Sequence, residues 1–476
     1  MDKIHEECGV FGAFSARNSD LASLAYYGLY ALQHRGQESA GIVVNDDGAF
    51  SFHRDVGLVN EAFPPEHLSA LPAGNIVVGH VRYSTTGSDL RRNAQPIVIN
   101  HHKGRMALAH NGNLVNSFEL RSALEERGSI FHTTTDSEII AHIIVQERLR
   151  SPSIEEAVYR AMGSIDGAYS LIISSPTKLI AARDQHGFRP LCMGRRGDGT
   201  VVFASESCAL DAVGADFVRD VRPGEIVTVS YDGVSTDTRR CGSARESFCV
   251  FEFIYFARPD SVIEGVPVSL ARQRMGAFLA REHPVEADIV VGVPDSGLDA
   301  ALGYAKESGI PYGIGFTKNK YIGRTFISPT QEQREVGVNI KLNPIKSVIG
   351  GRRVVLIDDS IVRGTTCRGT VDLLRRAGAK EIHMRVSAPP FVAPCFYGTD
   401  VDDAESLIAN HHSVAEIANI IGVDSLGYLS INNLLKIAGN ACPGFCTACF
   451  GGGYPTAVPG PGQKDRFEMK LSDRKK

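Results

Sequence analysis

The sequence predicts two domains in series, a layered α+β half followed by an α/β half built on a strand-to-turn-to-helix unit. At 476 residues the chain exceeds one ordinary core, and two or three domains are expected. From Ile154 to about Val229 one helical stretch precedes short β-prone runs, YSLII, KLIAARD, TVVFAS, DFVRDV and GEIVTVS, a pattern of layered α+β packing. Later, VVLIDDSIVRGTT from Val354 to Thr366 joins an apolar strand to a helix through an acidic turn. Open α/β sheets bind ligands at such strand ends. Between the two, YDGVSTDTRRCGSARES is polar and small, which puts the boundary near Ser243 to Ser247.

Composition narrows the function. Charged residues make up 22% of the chain and nearly cancel at a net charge of −4, so no global field draws it to nucleic acid or membrane. A small-molecule partner is favoured. The start, MDKIHEECGVFGAF, has no apolar run of signal-peptide length, and no segment offers eighteen uninterrupted apolar residues. A cytoplasmic enzyme is expected. In a reducing compartment ten cysteines read as catalytic, metal-binding or buried thiols rather than a disulfide framework.

In the first half, Cys8 begins the apolar strand CGVFGAF. Taken alone it reads as a small buried hydrophobe. A helix is predicted from Asp20 to about Gln33, with Leu21, Leu24, Ala25, Leu29 and Leu32 on helical spacing. Strands follow at Gly41 to Val44, over NIVVGHVRYS to Arg82, and over MALAHNGN from Met106, the last ending in a tight Asn111-Gly112 turn. Asp136 reads as the N-cap of a helix from Ser137 to Leu149.

The strings CGVFG, LQHRGQESAG, GHVRYSTTG, HNGNLVN and TTTDSE, in this order, resemble the glutaminase domain of the N-terminal-nucleophile amidotransferases. That resemblance implies an αββα sandwich. It also implies that Cys8, as first residue of the mature chain, attacks the glutamine side-chain amide, its own α-amino group serving as base. An α-amino pKa of about 8 suits that work. Exposing Cys8 requires loss of a propeptide, Met1 to Glu7. By the same match Asn111 and Gly112 form the oxyanion hole, Arg82 takes the glutamine α-carboxylate and Asp136 its α-ammonium. HGFRP around Arg189 and Ser205-Glu206-Ser207 read as scaffold near that site.

In the second half, FCVFEFIYFARPDS resembles the start of the phosphoribosyltransferase domain in the amidophosphoribosyltransferases. A helix, Val268 to Glu282, leads to the strand DIVVGVP and to Asp295-Ser296-Gly297. A strand-to-helix turn offers backbone donors and a hydroxyl for a pyrophosphate, the competing reading being a helix cap at Ser296. The segment KNKYIGRTFISPTQEQREVG is long and basic, and long loops in compact domains are usually functional. The resemblance makes it a loop that folds over phosphoribosyl pyrophosphate and completes an ammonia path, with Lys318, Lys320 and Arg324 near the diphosphate. Arg363, Gly364, Thr365 and Thr366 would bind phosphoribosyl pyrophosphate at the helix start, and Mg²⁺ would sit on Ser296, Asp358 and Asp359.

Cys249, Cys395, Cys446 and Cys449 supply four soft ligands, which suit zinc or iron alike. Resemblance to the cluster-bearing amidophosphoribosyltransferases implies a structural [4Fe–4S] cluster. Cys442 fits the spacing less well, and Cys192, Cys208, Cys241 and Cys367 read as ordinary thiols. The resemblance further implies a type I phosphoribosyltransferase fold for the second half, a homotetramer and purine nucleotide inhibitors. The division expected is a propeptide over 1–7, a glutaminase over 8–245, a phosphoribosyltransferase with the iron–sulfur ligands over 246–460, and a flexible tail over 461–476. A glutaminase paired with an isomerase or an ATP-dependent synthetase lacks a use for the Asp358 to Thr366 turn. A purine-responsive DNA-binding regulator would need a helix-turn-helix or a concentrated basic face, and neither is present in the sequence.

Overall fold

The computed structural model describes residues 8–83, 91–319, 342–399, 401, 403–439 and 444–459. The expected propeptide, Lys320, Arg324, Cys442 and the tail beyond 460 lie outside them.

Two antiparallel sheets make the first half. One runs Ala215–Asp220, Cys192–Arg196, Val201–Ala204, Gly9–Ser19, Gly74–Arg82, Ser39–Asp46, Ala49–Val56; the other runs Gly233–Asp237, Ile226–Ser230, Leu179–Arg183, Gly167–Ser174, Gly104–Leu114, Ile97–His101. Strand side chains alternate between faces, and the alternation builds both layers. Val10, Phe14, Ile76 and Val78 meet Ala109, Ile172, Ala181 and Val227 between the sheets. Phe11 and Ala13 point the other way, onto Leu21, Ala25 and Leu29 of the helix Leu21–Ala31. Leu108, Leu171 and Ile173 likewise pack on Ile139, Ile140 and Ile144 of the helix Asp136–Arg150. Four layers in the order helix, sheet, sheet, helix result.

Several sequence expectations need correction. The strand Gly104–Leu114 runs straight through Asn111 and Gly112, pairing them with Ser170 and Tyr169, so no turn forms there. Asp136 is the first residue of its helix, not the cap; Thr135 occupies the cap position. The polar stretch after Val229 contains the edge strand Gly233–Asp237, zipped onto its neighbour from Ile226↔Asp237 to Ser230↔Gly233.

The second half has a parallel sheet ordered Ile289–Gly292, Arg353–Asp358, Glu381–Val386, Ser425–Tyr428. Ile289–Gly292 and Arg353–Asp358 are near-continuous apolar runs, as expected where helices cover the sheet, whereas Glu381–Val386 alternates with His383 and Arg385. Val268–Glu282 and Gly297–Ser308 pack closely, and a Cβ on Gly276 would come 1.8 Å from the Ala300 carbonyl oxygen. The string FCVFEFIYF forms the short strand Phe248–Cys249 and a π-helical turn, Glu252–Phe256. Among the described residues no helix is long and apolar enough to cross a membrane.

Candidate active site

Cys8 immediately precedes the first strand, whose Gly9 pairs with Val81. Its Sγ lies 3.5 Å from the Tyr83 carbonyl oxygen, beside Arg82, which is 3% exposed. The LQHRGQESAG segment crosses this strand end at Gly36, where a Cβ would come 2.6 Å from the Arg82 nitrogen. Only glycine allows that approach.

The facing sheet brings the other expected residues. His80 Nε2 donates to the His110 carbonyl at 3.0 Å, joining the strand of Arg82 to that of Asn111. Asn111 is 1% exposed, and its Nδ2 has no hydrogen-bond partner among the described residues. An unsatisfied buried donor carries a cost that a functional site can retain. Gly112 has φ +138°, and a Cβ there would sit 2.1 Å from the Ala168 carbonyl oxygen, so its bare backbone is required. Asp136 accepts from the Leu114 N–H at 2.9 Å and faces His110 Nδ1 at 3.4 Å. Burial raises its pKa, but His110 and the neighbouring backbone donors outweigh burial and hold the carboxyl below its ordinary range.

A second constellation sits at the C-terminal ends of the parallel strands. After Ile289–Gly292 the chain turns through Asp295 and Ser296 into the helix Gly297–Ser308. Ser296 occupies the cap position without capping; its Oγ donates instead to Asp359 Oδ2 at 2.5 Å. The competing cap reading therefore holds for the position of Ser296 but not for its side chain. Gly297 passes so close to the next strand that a Cβ would meet the Ile357 carbonyl oxygen at 2.6 Å. Asp358 is buried and accepts from the Asp359 N–H at 2.9 Å, whereas Asp359 is half-buried and also accepts from Ser360. Gly364, with φ +86°, leads into the helix Thr365–Arg376, and Arg363 and Thr365 are exposed beside it. The start of that helix is a natural anion site. Lys318 pairs with Asp295.

The four expected cysteines also meet. Cys249 pairs with Cys446 in a two-stranded parallel ladder, and the Val392 and Ala393 N–H groups both donate to the Cys449 carbonyl. Cys249, Cys395, Cys446 and Cys449 line one apolar cavity with Phe188 and Tyr397. Burial pushes the Cys446 thiol up to about 12 and Cys449 well above its usual value. Among the described residues no group of three or more His, Cys, Asp or Glu side chains is placed to hold a metal ion.

Two domain families match the chain, a glutamine amidotransferase domain over residues 80–212 and a phosphoribosyl transferase domain over 270–391. The amidophosphoribosyltransferase of Synechocystis is 50% identical over 98% of this chain and 95% of its own length. The protein of that name from Methanocaldococcus jannaschii is 47% identical, covering 95% and 98%. The chain belongs to the amidophosphoribosyltransferase family. Its reaction is glutamine-dependent synthesis of 5-phosphoribosylamine from phosphoribosyl pyrophosphate, releasing glutamate and pyrophosphate, the first committed step of purine synthesis. Among solved structures, an allosteric regulatory enzyme of purine biosynthesis superposes with TM-score 0.90 at 45% identity, over 98% of this chain and all of that one. The glutamine phosphoribosylpyrophosphate amidotransferase of Bacillus subtilis, complexed with ADP and GMP, gives TM-score 0.88 at 46% identity, over 95% and 98%.

Sequence reasoning missed Arg35, whose Nε donates to the Cys8 carbonyl at 3.1 Å, and Glu252, which pairs with it. The available signal was the single charge, Glu252, inside the otherwise apolar run FCVFEFIYF.

Proposed function

We propose that Cys8 is the glutaminase nucleophile and that Asp358, Asp359 and Ser296 form the acceptor site of this amidophosphoribosyltransferase. The observation that carries the reading is the convergence of Cys8, Arg82, Asn111, Gly112 and Asp136 from four separate elements on one end of the sandwich. Met1 to Glu7 must be removed, because the α-amino group of Cys8 takes the thiol proton. The thiolate then attacks the amide carbon of glutamine, the C–N bond breaks, and ammonia leaves a thioester that water hydrolyses to glutamate. The orphaned Asn111 Nδ2 and the Gly112 N–H stabilise the oxyanion of both steps. Arg82 fixes the substrate carboxylate and Asp136, held ionised, its ammonium.

In the acceptor half, Asp295, Ser296 and Gly297 with Lys318 and Lys320 take the pyrophosphate. Arg363, Gly364, Thr365 and Thr366 take the 5-phosphate at the helix start, and the two carboxylates hold the ribose. Ser296, Asp358 and Asp359 supply three hard oxygens, which fit a Mg²⁺ that keeps water and substrate oxygens as its other ligands. When bound, the metal stabilises charge on departing pyrophosphate. Ammonia from the Cys8 site displaces it at C1.

Cys249, Cys395, Cys446 and Cys449 around one cavity support a [4Fe–4S] cluster as the group they hold. Four thiolates around one apolar cavity suit zinc or an iron–sulfur cluster alike, and the family resemblance favours the cluster. We assign it a structural role. Domain limits at 8–245 and 246–460, a homotetramer and a cytoplasmic location complete the reading, the last suited to a cysteine-containing chain without a disulfide framework. Purine nucleotides are proposed as inhibitors, supported by the ADP and GMP complex of the Bacillus relative. Cys8→Ala tests the division of labour: it should abolish glutamine-dependent synthesis and retain synthesis from free ammonia. Loss of both would sink the two-site reading.

A further inference from the structure

A buried charge cluster joins the two halves behind Cys8. Arg35 and Glu206 from the first half, and Glu252 from the second, are each 1% exposed, and Arg189 is fully buried. The Arg35 guanidinium uses every edge. Nε donates to the Cys8 carbonyl at 3.1 Å, Nη1 to Glu206 at 2.5 Å and Glu252 at 2.9 Å, and Nη2 to Glu252 at 2.7 Å. Arg189 Nη1 lies 3.4 Å from Glu252, while its Nε and Nη2 both donate to the Tyr397 carbonyl. His34, Ser261 and the Arg258 N–H hold Glu206.

We propose that Glu252 is a positioning residue for the glutamine half-reaction. Acting through Arg35, it holds the Cys8 carbonyl, and thereby the nucleophile, from the other half of the enzyme. This rests on Cys8 being the nucleophile. Glu252 is the one charge in the run from Phe248 to Phe256, between the buried Phe251 and Phe253. A carboxylate in such surroundings is costly unless paired, and a buried pair contributes little net stability compared with apolar packing. Its specific contribution is geometric. Two parallel bonds from one carboxylate fix the plane of a guanidinium, and that plane aims Nε at Cys8. A chain end frays unless tied down, and in the processed enzyme Cys8 has no preceding residue to restrain it. The Arg35 bond therefore limits the swing of both the thiol and the amine that deprotonates it.

Three variants of the full chain test this: Glu252→Gln, Glu252→Asp and Cys8→Ala, each checked by intact mass for removal of Met1 to Glu7. Misplaced reacting groups cost up to about 100-fold. Glu252→Gln is expected to lower kcat for glutamine hydrolysis by about 10- to 100-fold with KM for glutamine within about twofold. Ammonia-dependent synthesis should hold within about twofold, and Glu252→Asp should restore most of the hydrolysis rate. An unchanged kcat in Glu252→Gln overturns the proposal, as does an equal fall of both activities together with the melting temperature. Glutamine-dependent synthesis surviving in Cys8→Ala would instead sink the nucleophile assignment itself. Full hydrolysis by Glu252→Gln beside an inactive Cys8→Ala sinks only the positioning role.

Discussion

The hydroxyl of Ser296 donates to Oδ2 of Asp359 at 2.5 Å across 63 residues of sequence. It ties the turn after one parallel strand to the turn after its neighbour, adding a side-chain link to the Val293 N–H bond to the Ile357 carbonyl at 2.8 Å. Removing the hydroxyl frees the Asp359 carboxylate without emptying the core. Ser296→Ala should raise KM for phosphoribosyl pyrophosphate by about tenfold, the effect of a lost charge-assisted bond of roughly 1.5 kcal/mol. Glutamine hydrolysis should persist. The double change Asp358→Asn with Asp359→Asn should remove synthesis from both nitrogen sources, and steady-state rates at full activity would refute the assignment.

At the other site the prediction separates a donor from a backbone requirement. Asn111→Ala should cut kcat for glutamine hydrolysis by about 10²- to 10³-fold, as for other single oxyanion donors, and spare ammonia-dependent synthesis. Gly112→Ala forces a Cβ to within 2.1 Å of the Ala168 carbonyl, so the strand must shift. A lower melting temperature and a lost glutaminase are expected together. An alanine variant matching the parent in both would contradict the close approach.

Metal analysis decides the cysteine cavity. Protein prepared without oxygen should carry about four iron per chain, and Cys446→Ser should lose them along with thermal stability. Stoichiometric zinc in place of iron would overturn the cluster.

Acid sensitivity follows from His80, which is fully buried and bonded to the His110 carbonyl. Burial lowers its pKa from 6.5 to about 3. Between those values the unfolded chain binds a proton that the folded chain does not, so stability falls as pH drops from 6.5 toward 3. Above 6.5 this contribution is constant. Melting temperatures recorded across that range should decline less steeply in His80→Asn than in the parent, although the variant starts lower. Equal slopes would remove His80 as the cause.

Local pattern made much of this legible. The helix Val268–Glu282 has the limits its apolar spacing predicts, and the strand ending in Asp358 is apolar because it is buried on both faces. The cysteines were legible as ligand types, but their meeting in one cavity depends on Phe248–Cys249 pairing with Phe445–Cys446 across almost two hundred positions. The Asn111-Gly112 pair misled, because Asn-Gly favours turns locally while an eight-residue ladder to the strand Gly167–Ser174 keeps it extended. Tertiary pairing won over local propensity. Glu252 was invisible for a related reason: one charge in an apolar run reads as noise until its partner, Arg35, is seen opposite.

Phe188 comes from the amino-terminal half yet stacks on Tyr397 at 4.1 Å and walls the cysteine cavity, and its carbonyl receives the Cys249 N–H at 3.1 Å. The cavity is thus a joint between two units that are synthesised one after the other. Its wall is complete only where both units are in contact, so neither unit alone encloses the four thiols. A cluster seated there, as proposed, would lie across the seam between the two units and be walled by side chains of both.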